Sequence, residues 1–330
     1  MKFLRLVFDN FTLALLAVVA AAALLPCHGV GASVFEAAAR IAIALLFFLH
    51  GAKLSRPAVI AGAAHWRLHL LVMACTFVLF PLLGWLLRPL LQWLTGPQLY
   101  AGVLYLCVLP ATVQSAIAFT SLARGNVPAA ICSAAASSLL GIVITPLLVL
   151  LLIDDGGLHA IDPGSAGHIV VQLLLPFVAG QIARRWIGGW VERHQRVVKL
   201  ADQGSILLVV YAAFSASVVA GLWSMLPLTR LLGLTIACCV LLALVLACVW
   251  LIARRLGFSI EDRITILFAG SKKSLATGVP MAQILFAGGG IGMMLLPLLV
   301  FHQIQLMVCA VLARRFADRD RSPELHCQTA

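Results

Sequence analysis

Two adjacent lysines, Lys272 and Lys273, stand inside an otherwise apolar run from Ile264 to Phe286, with Ser271 before them and Ser274 after. Counted from Arg263, they lie roughly 15 Å along a helix that rises 1.5 Å per residue, about half the thickness of a bilayer core. A cation at that depth is costly unless it is paired or meets water. Gly270, Ser271, Gly278 and Pro280 favour an unwound stretch, and freed backbone is tolerated in a membrane only where it is buried in protein or lines a cavity. The ammonium groups therefore either hydrogen-bond loose carbonyls and prop the break, or line a functional cavity together with Ser271 and Ser274. The cavity is the expectation.

A second polar knot lies in the run from Leu99 to Leu122. Pro110 lacks an N–H and disrupts the turn before it. Thr112, Gln114 and Ser115 follow the break and are expected to line a pathway, whereas Thr120 and Ser121 suit ordinary bonding between helices. A broken helix exposes a half-helix N-terminus that attracts anions and a C-terminus that suits cations. Ser133, Ser137 and Ser138 sit among alanines and read as close-packing residues. His302, Gln303 and Gln305 form an unusual polar group in the last apolar run; His302 is either a proton carrier or a hydrogen-bonding partner of a neighbouring helix. No Asp or Glu falls in the middle of any run, which argues against a cation site built on a buried carboxylate. HExxH, GxSxG and P-loop lysine motifs are absent, so no enzyme activity is indicated.

These residues need helices in lipid to position them. The chain of 330 residues is 62% hydrophobic and only 11% charged, with a mean hydropathy of +1.07, whereas a soluble domain carries roughly 25% charged residues. In lipid every backbone polar group must be paired internally, and runs such as Leu231 to Ile252 are too long and unalternating for barrel strands. The net charge of +11 then reads as cytoplasmic loop charge rather than as a nucleic-acid footprint. The nine cysteines lie mostly within apolar runs, without CxxC spacing, and read as small fillers.

Ten spans are expected: Phe11 to Leu25, Phe35 to Gly51, Leu70 to Leu87, Leu99 to Leu122, Val127 to Ile153, Ile169 to Ile182, Ser205 to Leu222, Leu231 to Ile252, Ile264 to Phe286 and Ile291 to Leu312. The first imitates a signal peptide, but the many equally apolar segments after it favour an uncleaved first helix. With both termini cytoplasmic, every Lys and Arg falls on the inside except Arg40, Arg88, Arg230 and the two central lysines. The acidic stretch around Asp154, Asp155 and Asp162 divides five spans from five. An odd number per half makes the halves inverted repeats, and both polar knots occupy the fourth span of their half. The expected divisions are a first repeat at 1–153, an extracytoplasmic linker at 154–168, a second repeat at 169–315 and a cytoplasmic tail at 316–330.

Leu109-Pro110-Ala111-Thr112-Val113-Gln114-Ser115, Leu122-Ala123-Arg124-Gly125-Asn126-Val127, Ser137 through Thr145-Pro146, and Phe77-Val78-Leu79-Phe80-Pro81-Leu82 together resemble the bile acid:sodium symporter family. Gly270-Ser271-Lys272-Lys273-Ser274-Leu275-Ala276 looks like its divergent branch, which holds the vertebrate seventh member and bacterial relatives. The resemblance covers nearly the whole chain. It implies ten helices in two inverted five-helix repeats, a panel domain and a core domain, and interrupted fourth and ninth helices that cross in the core. It further implies uptake of an organic anion coupled to sodium, and a bacterial inner-membrane location.

Carried over position by position, Ser115 matches a sodium-ligand serine, but Ala116 stands where an asparagine is expected next. Thr76 stands where the third helix would place a glutamine. The acidic and amide ligands of the ninth helix fall in the stretch from Ser271 to Ser274, which offers lysines. The expectation is that a lysine ammonium replaces one bound cation as a fixed charge, with proton coupling through Lys272 or Lys273, or uncoupled transport, as the result. Secondary transport of a small organic anion is the leading function. A monovalent cation/proton exchanger and a non-transporting regulator of membrane ion homeostasis are the alternatives. No cofactor beyond a sodium ion is expected, and the partners are the anion and the lipid bilayer.

Overall fold

Apolar runs without water to satisfy their amides fold into helices, and the computed structural model is all-helical with no strand among the described residues, which are 10–53, 65–153, 163–221, 226–286 and 291–318. Most of the expected linker and tail, at 154–162 and 319–330, and the basic residues Lys2, Arg5 and Arg56 lie outside them. In chain order the helices are α1 Asn10–Leu24, α2 Val30–Lys53, α3 Trp66–Ala74, a π-helical turn Cys75–Leu79, α4 Phe80–Leu86, α5 Arg88–Thr95, α6 Pro97–Val108, α7 Gln114–Leu122, α8 Val127–Leu152, α9 Pro163–Arg193, α10 Gln195–Val219, α11 Leu228–Arg255, α12 Ile260–Gly270, α13 Leu275–Leu285 and α14 Ile291–Ala317.

Among the described residues, six continuous helical stretches are long and apolar enough to cross a membrane: α2, α3 through α4, α8, α10, α11 and α14. Their outward faces carry exposed apolar surface, with Ile41 of α2 71%, Leu151 of α8 76% and Leu232 of α11 58% exposed. Such a girdle is a liability in water and normal in lipid. The protein is a multi-pass membrane protein. The apolar stretches from Leu99 to Leu122 and from Ile264 to Phe286 are not single helices: the first is α6 and α7, the second α12 and α13.

Two groups of helices pack among themselves. In one, α2 packs along α9 and α10, and α10 along α1. Gly51 and Gly180 make the α2–α9 contact possible, because a Cβ on Gly51 would strike the Phe177 carbonyl and one on Gly180 the Phe48 carbonyl. In the other, α14 packs against α6, α7, α11 and α13, and α12 against α3, α7, α8 and α11. The turn between α7 and α8 is pinned to α12: Asn126 Nδ2 donates to Asp262 Oδ1 at 2.9 Å, and the Asn126 N–H to Thr265 Oγ1 at 2.9 Å. Ser259 caps α12 by accepting the Asp262 N–H, with Glu261 and Asp262 in the first turn complementing the helix dipole.

Candidate functional site

The break between α6 and α7 has a local cause. Leu109 adopts an extended conformation (φ −70°, ψ 153°) ahead of Pro110, as a residue before proline must. Position 110 offers no N–H, and the Ala111 N–H turns to Ser137 Oγ at 2.9 Å instead of back to Cys107. The carbonyls of Cys107, Val108 and Leu109 are thereby freed. Thr145 Oγ1 takes that of Val108 at 2.9 Å. A third free carbonyl arises in the π-helical turn. The Phe80 N–H bonds Cys75 O, so the next donor in that register, for Thr76 O, would come from position 81, a proline.

Lys273 collects what these breaks release. Its Nζ donates to the carbonyls of Thr76, Cys107 and Leu109, each at 2.7 Å, so all three N–H groups are used. The Phe80 ring lies 4.2 Å from the ammonium. The Lys273 backbone is clamped by Gln305, which accepts from its N–H and donates to its carbonyl, both at 3.0 Å. The two breaks also meet directly: the Ser274 N–H donates to Pro110 O at 2.9 Å, and Tyr105 Oη to Gly278 O at 2.6 Å. Gly141 lets α8 approach, since a Cβ there would lie 2.6 Å from Pro110 Cβ.

Lys272 is as deeply buried but differently served. Its Nζ donates to the Ser115 carbonyl at 2.9 Å and lies 3.7 Å from the centre of the Phe119 ring and 5.6 Å from that of Phe268. Neither lysine has any exposed surface.

A cavity of about 520 Å³ lies beside this crossing. Of the residues singled out by sequence, Thr112, Gln114, Ser115, Ser274 and His302 line it; Thr76, Ser271, Lys272, Lys273 and Gln303 do not. Thr112 and Ser115 share a hydroxyl–hydroxyl bond at 2.8 Å. Ser274 caps α13 by accepting the Thr277 N–H. Ser271 instead closes α12, its hydroxyl on Leu267 O at 2.5 Å. Thr76 acts through its carbonyl, its hydroxyl being bonded to Val72 O at 2.8 Å. His302 Nδ1 pairs with Gln305 Nε2 at 3.0 Å, and the Gln303 amide nitrogen is buried with no hydrogen-bond partner. Ser137, read from sequence as a packing residue, also caps the first break.

The opposite wall comes from α1, α2, α9 and α10 through Phe11, His50, Lys53, Phe177, Asp202 and Gln203. Asp202 falls just ahead of the span expected from Ser205, in or beside a cytoplasmic segment by the sequence. The helix begins ten residues earlier than that span, at Gln195, and buries Asp202 to 6% exposure. The available signal was a lone carboxylate beside apolar Leu200 and Ala201. No cluster of His, Cys, Asp and Glu suited to a metal ion occurs among the described residues.

Broken helices meeting at mid-bundle beside a cavity are the architecture of a solute carrier. The chain belongs to the SBF-like CPA transporter family, whose model matches residues 9–318. It is 65% identical over 315 residues to the protein named PA2026 of Pseudomonas aeruginosa, covering 96% of this chain and 95% of that one. It is 57% identical over 316 residues to the Escherichia coli protein named "Putative symporter YfeH", covering 96% and 95%. It is 31% identical over 276 residues to sodium/bile acid cotransporter 7 of Rattus norvegicus, covering 82% and 81%. Membership places the chain among secondary transporters rather than enzymes.

Proposed function

We propose that the protein carries a small organic anion across the bacterial inner membrane by alternating access, with ten spans arranged as two inverted five-helix repeats. The first repeat is 1–153 and the second 169–315, joined by a linker at 154–168 on the extracytoplasmic side; both termini, including the tail at 316–330, are cytoplasmic. The group α1, α2, α9 and α10 acts as the panel, and the group holding the crossed breaks as the core. The observation that carries this reading is the position of the cavity between those groups, with Thr112, Gln114, Ser115 and Ser274 on one wall and α2 and α10 on the other. A rocking of core against panel re-exposes such a cavity to the other side.

Sodium coupling at the crossing is replaced in this proposal by a fixed charge. A sodium ion there would need the carbonyl oxygens that Lys273 holds at 2.7 Å, and the carbonyl of Ser115, the candidate sodium ligand, is taken by Lys272. The residues present do not suit the ion at that point. The vertebrate relatives' name makes a bile anion the natural first probe. Radiolabelled taurocholate uptake into vesicles holding the purified protein tests the reading, with sodium, potassium and proton gradients compared. Uptake above protein-free vesicles without a sodium requirement is expected. Full sodium dependence that survives Lys272→Ala and Lys273→Ala would overturn the fixed-charge proposal. Exchange of sodium or potassium for protons with no anion flux would favour the exchanger.

A further inference from the structure

The charged groups that face the cavity are not the central lysines. Among the described residues, its wall carries one ammonium, Lys53 of α2, and one carboxylate, Asp202 of α10, with the imidazoles of His50 and His302 nearby. Lys53 Nζ donates to Asp202 Oδ2. The pair is lopsided: the Lys53 side chain keeps 32% of its surface exposed and that of Asp202 only 9%. Asp202 Oδ1 is buried and accepts no hydrogen bond. A plain tether between α2 and α10 requires neither a place on the cavity wall nor a carboxylate oxygen left idle.

We propose that Lys53 and Asp202 form an exchangeable ion pair: the anionic group of the carried molecule takes Lys53 from Asp202, and Asp202 then takes up a proton, so anion and proton travel together. This rests on the organic-anion reading above. Before exchange the site holds an ammonium and a carboxylate; afterwards it holds an ammonium, the bound anion and a neutral carboxyl. The only bond formed is the O–H of Asp202, its proton drawn from the aqueous phase, and the net charge stays zero. The cause is the cost of a buried carboxylate that has lost its cation. A single ammonium suits a monoanion, and Phe11, Phe119, Ile131 and Phe177 suit an apolar body.

Other groups around Asp202 are accounted for. From α2 come Lys53 and His50, whose Nδ1 is bonded to Leu46 O at 2.9 Å. From α14 comes His302 across the cavity. From α9 comes Arg184, committed to Ala52 O at 2.6 Å and Glu192 Oε1 at 2.8 Å. Neither α1 nor α13 contributes an ionisable side chain, and Lys199 of α10 itself is exposed.

Equilibrium binding of tritiated taurocholate to the purified full-length protein, at submicellar concentration from mildly alkaline to mildly acidic pH, tests this. One proton taken up per anion tightens the dissociation constant by about tenfold for each pH unit of acidification. Asp202→Asn abolishes that slope, Lys53→Gln weakens binding by at least about tenfold by removing the charged partner, and Lys53→Arg restores it. A flat wild-type profile overturns the exchange, as does a wild-type slope in Asp202→Asn, which would move the titration to His50 or His302. Wild-type affinity in Lys53→Gln overturns it equally. Binding that is present but indifferent to pH leaves the anion reading standing; no binding by the wild type defeats both. Monodisperse elution verifies folding, and if Lys53→Gln fails it, the slope in the near-isosteric Asp202→Asn decides alone.

Discussion

Lys272 and Lys273 are neighbours in the chain and equally sealed from solvent, yet their surroundings are opposite in kind. Lys273 meets three carbonyls, all at 2.7 Å, that two prolines have left without donors. Lys272 meets one carbonyl and the face of Phe119. A charge with every hydrogen placed acts as a fastener, because its removal strands its acceptors. A charge with one hydrogen bond and an aromatic face has been desolvated without full compensation. Burial alone therefore says little about what a membrane lysine does; the count of saturated donors separates structural from costly charge.

The largest expected effect comes from Lys273→Ala. Three buried carbonyls lose their donor, and stability in detergent should fall by on the order of 3–5 kcal/mol, as for one partner removed from a buried charged set. Lys273→Arg should not restore it, because a planar guanidinium cannot reproduce the compact three-way ammonium. Thermal unfolding of the purified variants measures both. A loss at Lys273 no larger than that at Lys272 would break the comparison.

Lys272→Met should leave stability within about 1 kcal/mol of the wild type, since an apolar side chain of similar length replaces an incompletely compensated buried charge, while taurocholate uptake falls. The aromatic contact is isolated by a double-mutant cycle of Lys272→Met with Phe119→Leu, where a coupling of about 1–2 kcal/mol is expected for a desolvated cation over a ring. Zero coupling would remove the ring from the account of Lys272. Tyr105→Phe deletes the bond to Gly278 O at 2.6 Å and should cost about 1 kcal/mol by the same unfolding measurement.

The smallest and sharpest effect is conditional. Pro81→Ala supplies an N–H in register with Thr76 O, so in the Lys273→Ala background it should recover up to about 1 kcal/mol. In the wild type, where Lys273 already holds that carbonyl, no gain is expected. Equal effects in both backgrounds would show that Pro81 does not control the Thr76 carbonyl.

Much of the scaffold could be read from residue types alone. The apolar runs coincide with helices, and Pro110 marks the first interruption, because proline acts on the backbone within a turn of itself. Of Gly270, Ser271, Gly278 and Pro280, read together as an unwound stretch, only Gly270 and Ser271 lie at the second, since α13 runs on through Gly278 and Pro280. Of the polar side chains next to those breaks, Thr112, Gln114, Ser115 and Ser274 line the cavity, whereas Ser271, Lys272 and Lys273, singled out on the same ground, do not. Asp202 was not legible as a wall residue, because it lies at the edge of its apolar run and only the greater length of α10 carries it inside. Nor was its partner: Lys53 and Asp202 are 149 positions apart, and no local pattern links them.

Sequence by itself determined that this chain lives in lipid, that its backbone must be helical, and where two of its helices must fail. Those are consequences of composition and local covalent geometry. Tertiary structure alone decided which of two adjacent lysines would be saturated. Successive residues leaving a helix point in different directions, and here one ammonium met three orphaned carbonyls while the other met a ring. It decided as well that a lysine and an aspartate from separate helices would pair on one wall of a cavity, since charge pairing acts through space and leaves no trace in spacing along the chain.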